Sequence, residues 1–181
     1  MNEQQAIDAL LSDDIGALEF LVRQYQVKAI RAAFLITHDE GIAQEVVQNV
    51  FLRVTKRIKQ FDRRRPFAPW FMRIVVNDAI KAVQRGPRWL SLEGGEAAFQ
   101  AQLQSSLPSP EEALTTKQLR DTVWQALSQL TPKQRAAVVM RYYLDMSESE
   151  MAERLDVAPG TVKWRLHTAR KRLRQLLEVS K

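Results

Sequence analysis

Residues 147–177 restrict the fold of this chain more than any other stretch, because they specify two helices separated by a short turn. Ser147 can act as the N-cap of the first helix, and Glu150, three residues later, completes a capping box. Asp156 then stands where the backbone must turn, and Asp tolerates a left-handed conformation better than most residues do. Pro159 fits the first turn of a second helix, which continues to the end of the stretch.

The second helix of this stretch has two faces. Its apolar residues recur at steps of three and four and form a stripe that a core would bury, namely Val162, Leu166, Ala169, Leu173 and Leu176. Ala152 in the first helix and Val162, ten positions later, suit the close packing of a helix-turn-helix. The opposite face carries Trp164, His167, Thr168 and Lys171, flanked by Lys163, Arg165, Arg170, Arg172 and Arg174. Such a face contacts base edges in a major groove and its flank contacts phosphates, so the pattern predicts DNA binding.

The basic face has a second interpretation, as the solvated side of an ordinary amphipathic helix. A run of charge alone would favour that interpretation, but here the run follows a helix, a turn and a matched pair of packing residues. Trp164 can contact a partner, as exposed Trp side chains often do, or can fold back onto the preceding helix.

Composition limits the class of protein. The 181 residues are 45% hydrophobic and 27% charged, with a net charge of +6, which allows a core and suits a polyanionic partner. The absence of Cys excludes disulfides, thiolate zinc sites and Cys nucleophiles, and two isolated His residues cannot form a metal cluster, so we expect no metal and no cofactor. The acidic N-terminus lacks the apolar core of a signal peptide, and no apolar run is long enough to span a membrane. We therefore expect a cytoplasmic protein without membrane insertion.

Helical periodicity dominates the chain and no alternating strand pattern stands out, so we predict an all-α fold. Ile7, Leu10 and Leu11 predict a short first helix, and Asp13 and Asp14 cap a longer one whose apolar positions begin at Ile15. After a turn around His38, which we expect to face solvent, the next helix has the apolar stripe Ala43, Val46, Val47, Val50, Phe51, Val54 and Ile58. Pro69 opens a further helix that ends near Gln84.

The segment FDRRRPFAPW, residues 61–70, combines three consecutive arginines with aromatic residues. In a site for single-stranded nucleic acid, arginines bind phosphates and exposed rings stack on unpaired bases. Alternatively, Phe61, Phe67 and Trp70 are core residues at helix ends and the arginines between them are merely solvated. The segment by itself favours neither interpretation.

The domain organisation follows from a change in composition after Gly86. Residues 1–86 form one predicted helical domain and residues 87–109, which include a Gly pair and a Gln/Ser-rich run, form a linker. Residues 110–181 form a second helical domain, in which Thr131 and Gln134 predict a capping box and Val123, Leu127, Tyr142 and Tyr143 lie among the apolar positions. The predicted architecture is two small helical domains joined by a linker.

Four segments in this order carry a resemblance to a known family: ALEFLVRQYQ, EVVQNVFLRVTKRIKQF, FAPWFMRIVVN and LTPKQRAAVVMRYYLDMSESEMAERLDVAPGTVKWRLHTARKRL. The chain resembles the extracytoplasmic-function (ECF) group of sigma-70 family factors of bacterial RNA polymerase over nearly its whole length. The resemblance implies a sigma-2-like domain, a sigma-4-like domain, and binding to core RNA polymerase, promoter DNA and an anti-sigma factor. It implies no catalytic residues and no small-molecule substrate.

The resemblance also implies roles for individual residues. Contacts with the core polymerase would come from Gln44, Glu45, Val47, Gln48, Asn49, Phe51, Leu52 and Arg53. Contacts with the melting −10 element would come from Phe61, Arg63, Arg64, Arg65, Phe67, Trp70, Asn77 and Lys81. Contacts with the −35 element would come from Gly160, Thr161, Lys163, Trp164, Arg165, His167, Thr168, Arg170 and Lys171.

Three residues depart from the family pattern. Asn49 stands where an acid usually follows Gln48, Lys81 stands where Asp is common, and Trp164 replaces a small hydroxyl residue. Three other functions compete with the sigma-factor prediction. A ligand-sensing DNA-binding regulator would leave the Arg/aromatic segment unexplained, and an enzyme would need a nucleophile or phosphate-binding motif that the sequence lacks. A sigma paralogue that only titrates polymerase or an anti-sigma factor is the third alternative.

Overall fold

A computed structural model describes residues 1–85 and 121–179, and it confirms the all-α fold, since these residues contain helices and no strand. The chain divides into two compact units, residues 1–90 and 91–181. The predicted linker, residues 87–109, lies outside the described residues, as does the start of the second predicted domain. Within the described ranges, no helix is long and apolar enough to cross a membrane.

The N-terminal unit contains four α-helices: α1 (Glu3–Leu11), α2 (Leu18–Thr37), α3 (Glu40–Arg57) and α4 (Phe67–Gln84). Short 3-10 turns, Ile15–Ala17 and Ile58–Gln60, precede α2 and follow α3. Helices α2, α3 and α4 pack against one another, and α1 packs against α2. The predicted stripe of α3 is buried throughout, from Ala43 to Ile58.

Aromatic rings form the centre of this unit. Phe71 is fully buried, and its ring centroid lies 4.8 Å from that of Phe51, 5.7 Å from that of Tyr25 and 5.7 Å from that of Phe67. One ring from each of α2 and α3 therefore meets two from α4. Tyr25 also donates a hydrogen bond to Glu3, so the same cluster ties α1 to α2.

Local predictions at three positions of this unit were wrong. Helix α4 begins at Phe67 and not at Pro69, because a Pro in the first turn of a helix needs no N–H partner and can lie inside it. Ile15 is 70% exposed, because Asp14 caps a separate 3-10 turn and so takes Ile15 out of the stripe of α2. His38 ends α2 in the left-handed conformation, at φ 58°, and is half-buried, whereas we expect it to face solvent.

In the C-terminal unit, residues 121–128 are helical and are called α5 here. They are followed by α6 (Pro132–Val138), a π-helical turn (Val139–Tyr143), α7 (Glu148–Leu155) and α8 (Pro159–Val179). Helices α6 and α7 both pack against α8. Val123 is 40% exposed and lies outside the core, contrary to prediction.

The caps of α6 and α7 confirm the two predicted capping boxes. Thr131 accepts from the backbone N–H of Gln134, and Ser147 accepts from that of Glu150, while each partner side chain accepts from the backbone N–H of its cap. The hydrogen bonds from Ser147 hold the pKa of the Glu150 carboxyl below its usual range. Asp156 ends α7 at φ 53° and ψ 52°, so the left-handed turn predicted for the helix-turn-helix is present.

Candidate nucleic-acid and partner interfaces

Helix α8 presents the exposed face that its sequence predicts. Val162, Leu166 and Ala169 are completely buried, which turns the opposite side of the helix to solvent. Trp164 is 63% exposed, so it does not fold back onto α7. The predicted contacts that are exposed beside it are Gly160, Lys163, His167, Arg170 and Lys171. The helix carries six Lys and Arg residues and one acid, Glu178, so this face is strongly cationic.

Thr168 does not lie free on this face, contrary to prediction. Its hydroxyl donates to the carbonyl oxygen of Trp164 at 2.9 Å and accepts from the Nε2 of Gln134 at 3.2 Å. Thr168 is half-buried as a result, and Thr161 and Arg165 are also half-buried. Gln134, which the sequence identifies only as a capping residue, therefore connects the start of α6 to the middle of α8.

Tyr142 is a second residue whose placement the sequence analysis missed. We predicted an apolar position, but the side chain is 62% exposed. Its phenol oxygen accepts a hydrogen bond from the Nε of Arg170 at 2.8 Å, and the guanidinium carbon lies 5.8 Å from the ring centroid. One of the predicted DNA contacts is thus held by a neighbour outside α8.

In the Arg/aromatic segment, residues 61–70, the rings of Phe61 and Phe67 fit the core interpretation, while the arginines are exposed as a nucleic-acid site requires. Phe61 is 7% exposed and Phe67 is 1% exposed, so their rings belong to the core and cannot stack on bases. Trp70 is half-buried, with its ring centroid 5.2 Å from that of Phe61 and 5.5 Å from that of Phe67. The three arginines between these rings are exposed, as predicted.

Asp62 organises the backbone of this segment into a turn. Its side chain accepts from the backbone N–H of Arg64 at 3.0 Å, and its carbonyl oxygen accepts from that of Arg65 at 2.9 Å. The Arg64 guanidinium also binds the Asp62 carboxylate, and these hydrogen bonds lower the pKa of Asp62. The arginines therefore project from a fixed turn between two buried rings.

Acidic residues near the N-terminus pair with cations in and beside this turn. The guanidinium of Arg63 lies 2.5 Å from the carboxylate of Asp8 in α1, and Lys59 lies 3.3 Å from Asp13. All four side chains are well exposed, so each pair contributes little to the stability of the fold. The Asp8 pair nevertheless places negative charge next to Arg63, one of the cations that we expect to bind DNA.

The residues predicted to contact core polymerase lie on α3, but the structure exposes only some of them. Gln44, Gln48, Asn49 and Leu52 are exposed, with Leu52 at 56%, while Glu45 and Arg53 are half-buried. Val47 is 2% exposed and Phe51 is 5% exposed, so the structure places both in the core and not on the exposed side of α3. Both belong to the apolar stripe that packs against the rest of the unit.

A groove of about 240 Å³ runs between α3 and α4, and its lining includes Glu45, Asn49, Arg53, Asp78 and Lys81. Arg53 and Asp78 form an ion pair across it. The two α3 and α4 residues that depart from the family pattern, Asn49 and Lys81, thus line one groove. The remaining predicted −10 contact, Asn77, is half-buried on α4.

Comparison with known families and proteins gives the same two-part organisation. The model of Sigma-70 region 2 matches residues 21–88, and the model of Sigma-70, region 4 matches residues 120–173. The ECF RNA polymerase sigma factor SigL of Mycobacterium tuberculosis is 32% identical over 149 residues, which cover 82% of this chain and 81% of that protein. SigW of Bacillus subtilis, also an ECF RNA polymerase sigma factor, is 27% identical over 179 residues, which cover 96% of each chain.

Two solved structures share the fold. CnrH, in complex with the cytosolic domain of CnrY, matches with a TM-score of 0.68 and 23% identity over 99% of each chain. The sigma factor RpoE of Bartonella quintana, in complex with the anti-sigma factor NepR, matches with a TM-score of 0.63 and 19% identity over 90% of this chain and 99% of that one. At these identities the likeness establishes the architecture only.

Proposed function

The chain belongs to the sigma-70 family, in its ECF group, and from this premise we propose that it directs core RNA polymerase to promoters through two separate DNA contacts. Its C-terminal unit binds the duplex −35 element with the exposed face of α8. Its N-terminal unit binds the melting −10 element with the arginines of residues 63–65. The family is one of transcription initiation factors and not of enzymes, so catalysis comes from the polymerase.

The observation that carries this proposal is the face of α8. Helix α8 follows the turn of the helix-turn-helix and exposes four side chains on one face, namely Lys163, Trp164, His167 and Lys171. No acid lies among them. Cations on such a face bind phosphates and release counterions, while the outward side chains contact base edges in the major groove. A merely solvated helix would need neither the turn at Asp156 nor an exposed Trp.

Run-off transcription with core RNA polymerase on a library of genomic promoter fragments tests the proposal. We expect specific transcripts that share an upstream sequence only when the protein is added. Tight polymerase binding without transcripts would favour a titrating paralogue. Duplex DNA binding without polymerase binding would favour a regulator and contradict the proposal.

The proposed polymerase contact is the exposed part of α3, which includes Gln48, Asn49 and Leu52 and borders the groove between α3 and α4. We also propose regulation by an anti-sigma factor. Both fold neighbours were solved with a bound partner, CnrY or NepR, which supports this part of the proposal. Pull-down of core polymerase with and without the Leu52→Glu substitution tests the first contact, since a charge in an apolar contact should abolish capture.

Replacement of Trp164 should change which −35 sequences are bound. A contact with base edges contributes about 1–3 kcal/mol to discrimination, which is about 5- to 150-fold between favoured and disfavoured bases. We expect Trp164→Ala to relax the preference at one or two positions in a selection from random duplexes. Arg172→Ala, a flank substitution, should instead weaken binding to all sequences alike. Identical sequence profiles for Trp164→Ala and the unsubstituted protein would contradict the placement of Trp164 against bases.

Release of Arg63 from Asp8 should strengthen binding to single-stranded DNA. Exposed ion pairs are worth about 0.2–1 kcal/mol, so we expect Asp8→Asn to raise affinity about 1.5- to 5-fold at low salt. The gain should disappear at high salt, where both the pair and the DNA contact are screened. Glu19→Gln is the matched control, because Glu19 pairs with Arg23 on α2 and its loss changes the net charge equally. An equal gain from both variants would show that only net charge matters.

A further inference from the structure

Arg170 of α8 is held in place by Tyr142, which lies outside that helix. The Nε of Arg170 donates to the phenol oxygen at 2.8 Å, and the guanidinium carbon lies 5.8 Å from the ring centroid. Both side chains are exposed, Tyr142 at 62%. Arg170 lies on the flank of α8, near the exposed His167 and Lys171.

The contact leaves the anion-binding end of Arg170 unused. Only Nε is engaged by Tyr142, and within residues 1–85 and 121–179 no carboxylate pairs with this guanidinium. Its two terminal nitrogens can therefore donate two parallel hydrogen bonds, the geometry in which Arg binds phosphate. The phenol ring restrains the long side chain, so less conformational freedom is lost when an anion binds.

The π-helical turn explains why Tyr142 is available for this contact. In a regular helix, the residue three positions after the buried Val139 would lie on the same buried face. Val139–Tyr143 instead form a wider turn, in which the backbone N–H of Leu144 donates to the carbonyl oxygen of Val139 at 3.0 Å. The wider turn moves Tyr142 off the buried stripe and towards α8. Single π-turns of this kind occur frequently at functional sites.

We propose that Tyr142 is a positioning residue that fixes Arg170 as a two-pronged clamp on a backbone phosphate of duplex DNA. The inference rests on the proposed function, because it requires the C-terminal unit to bind a duplex. The clamp contributes affinity and fixes the orientation of the unit on the duplex, but it contributes no sequence preference. The residue that supplies the clamp is Arg170, and Tyr142 acts only through it.

Salt-dependent binding of the full-length protein to a short random-sequence DNA duplex tests the clamp. Loss of one phosphate contact lowers the slope of log affinity against log salt by about 0.9, so we expect that change in Arg170→Ala. Tyr142→Phe keeps the ring and the Arg170 charge and removes one hydrogen bond, so affinity should fall about 2- to 10-fold with the slope retained. In the Arg170→Ala background, Tyr142→Phe should have no further effect.

Three outcomes distinguish failure of the clamp from failure of the proposed function. An unchanged slope in Arg170→Ala, with reduced slopes in Lys163→Ala and Lys171→Ala, would overturn the clamp alone. Unchanged slopes in all three variants would overturn DNA binding by this face. A Tyr142→Phe effect that persists without Arg170 would overturn the positioning role. If circular dichroism shows that Arg170→Ala is unfolded, Arg170→Gln replaces it with a side chain of similar length.

Discussion

Phe71→Ala should unfold the N-terminal unit at temperatures that leave the C-terminal unit intact. Phe71 is completely buried and touches an aromatic ring from each of α2 and α3, so its removal leaves a cavity that the rigid cluster cannot close. Truncation of a buried Phe costs about 3–5 kcal/mol, a large fraction of the stability of a small domain. We expect thermal denaturation to show an early transition that the unsubstituted protein lacks.

The functional consequence of Phe71→Ala should be selective. Polymerase binding and transcription should be lost above the new transition, while binding to a −35 duplex stays within about twofold, because α8 is built in the other unit. Val27→Ala is the control for stability, since this side chain on α2 is 49% exposed and its truncation should change the free energy of unfolding by no more than about 0.5 kcal/mol. A single transition shifted for both units together would show that they do not unfold independently.

Neutralising Arg63, Arg64 and Arg65 should block promoter melting more than promoter recruitment. If each arginine binds a phosphate of the displaced strand, each contact contributes about 0.7 to the slope of log affinity against log salt for single-stranded DNA. The triple Ala variant should therefore have a slope that is smaller in magnitude by about 2. We expect open-complex formation, measured by permanganate footprinting, to fall at least about tenfold at moderate salt. Recruitment to a −35 duplex should be unaffected, because α8 is unchanged.

A triple Lys variant at the same positions is the matched control. It retains the charge and so should retain the salt slope, but it lacks the planar fork that binds one phosphate with two hydrogen bonds. Partial recovery of melting would therefore separate the contribution of charge from that of geometry. Normal melting in the triple Ala variant would mean that these exposed arginines do not contact the melted strand.

Local sequence signals predicted much of this fold correctly because they act over a few residues. The capping boxes at Thr131 and Ser147 need only the cap and the residue three positions later, and both are present. The buried stripe of α3 follows from helical periodicity alone. Asp156 adopts the left-handed conformation that the turn requires even though Gly is common at such a position.

The sequence left alternatives open, or predicted a different placement, where a distant contact or an irregular turn decided the outcome. Phe61 and Phe67 suit a base-stacking surface as well as a core, and only the packing of α4 decides between the two. Tyr142 leaves the apolar stripe because of a π-helical turn that periodicity cannot detect. Thr168 has the right helical angle for DNA, but Gln134, which lies 34 residues earlier, engages its hydroxyl.

The resemblance to a family conflicts with the helical periodicity at two positions. The resemblance implies a polymerase contact for Val47 and Phe51, whereas the periodicity of α3 and the structure place both in the core. Burial decides between the two, because a side chain that packs against its own domain has no surface left for a partner. Roles carried over from a family are therefore most secure at positions that periodicity places on the exposed side of an element.

The turn that carries the three arginines can change in sequence without loss of the fold. It is bounded by the buried rings of Phe61 and Phe67, while residues 62–65 between them are all exposed. Substitutions within the turn can therefore accumulate without disturbing the folding of the domain, as in an antibody loop on its scaffold. A library randomised at residues 63–65 should therefore yield stable factors that differ in how strongly they bind and melt promoter DNA, so natural divergence or engineering can adjust the strength of transcription at this turn without altering the fold.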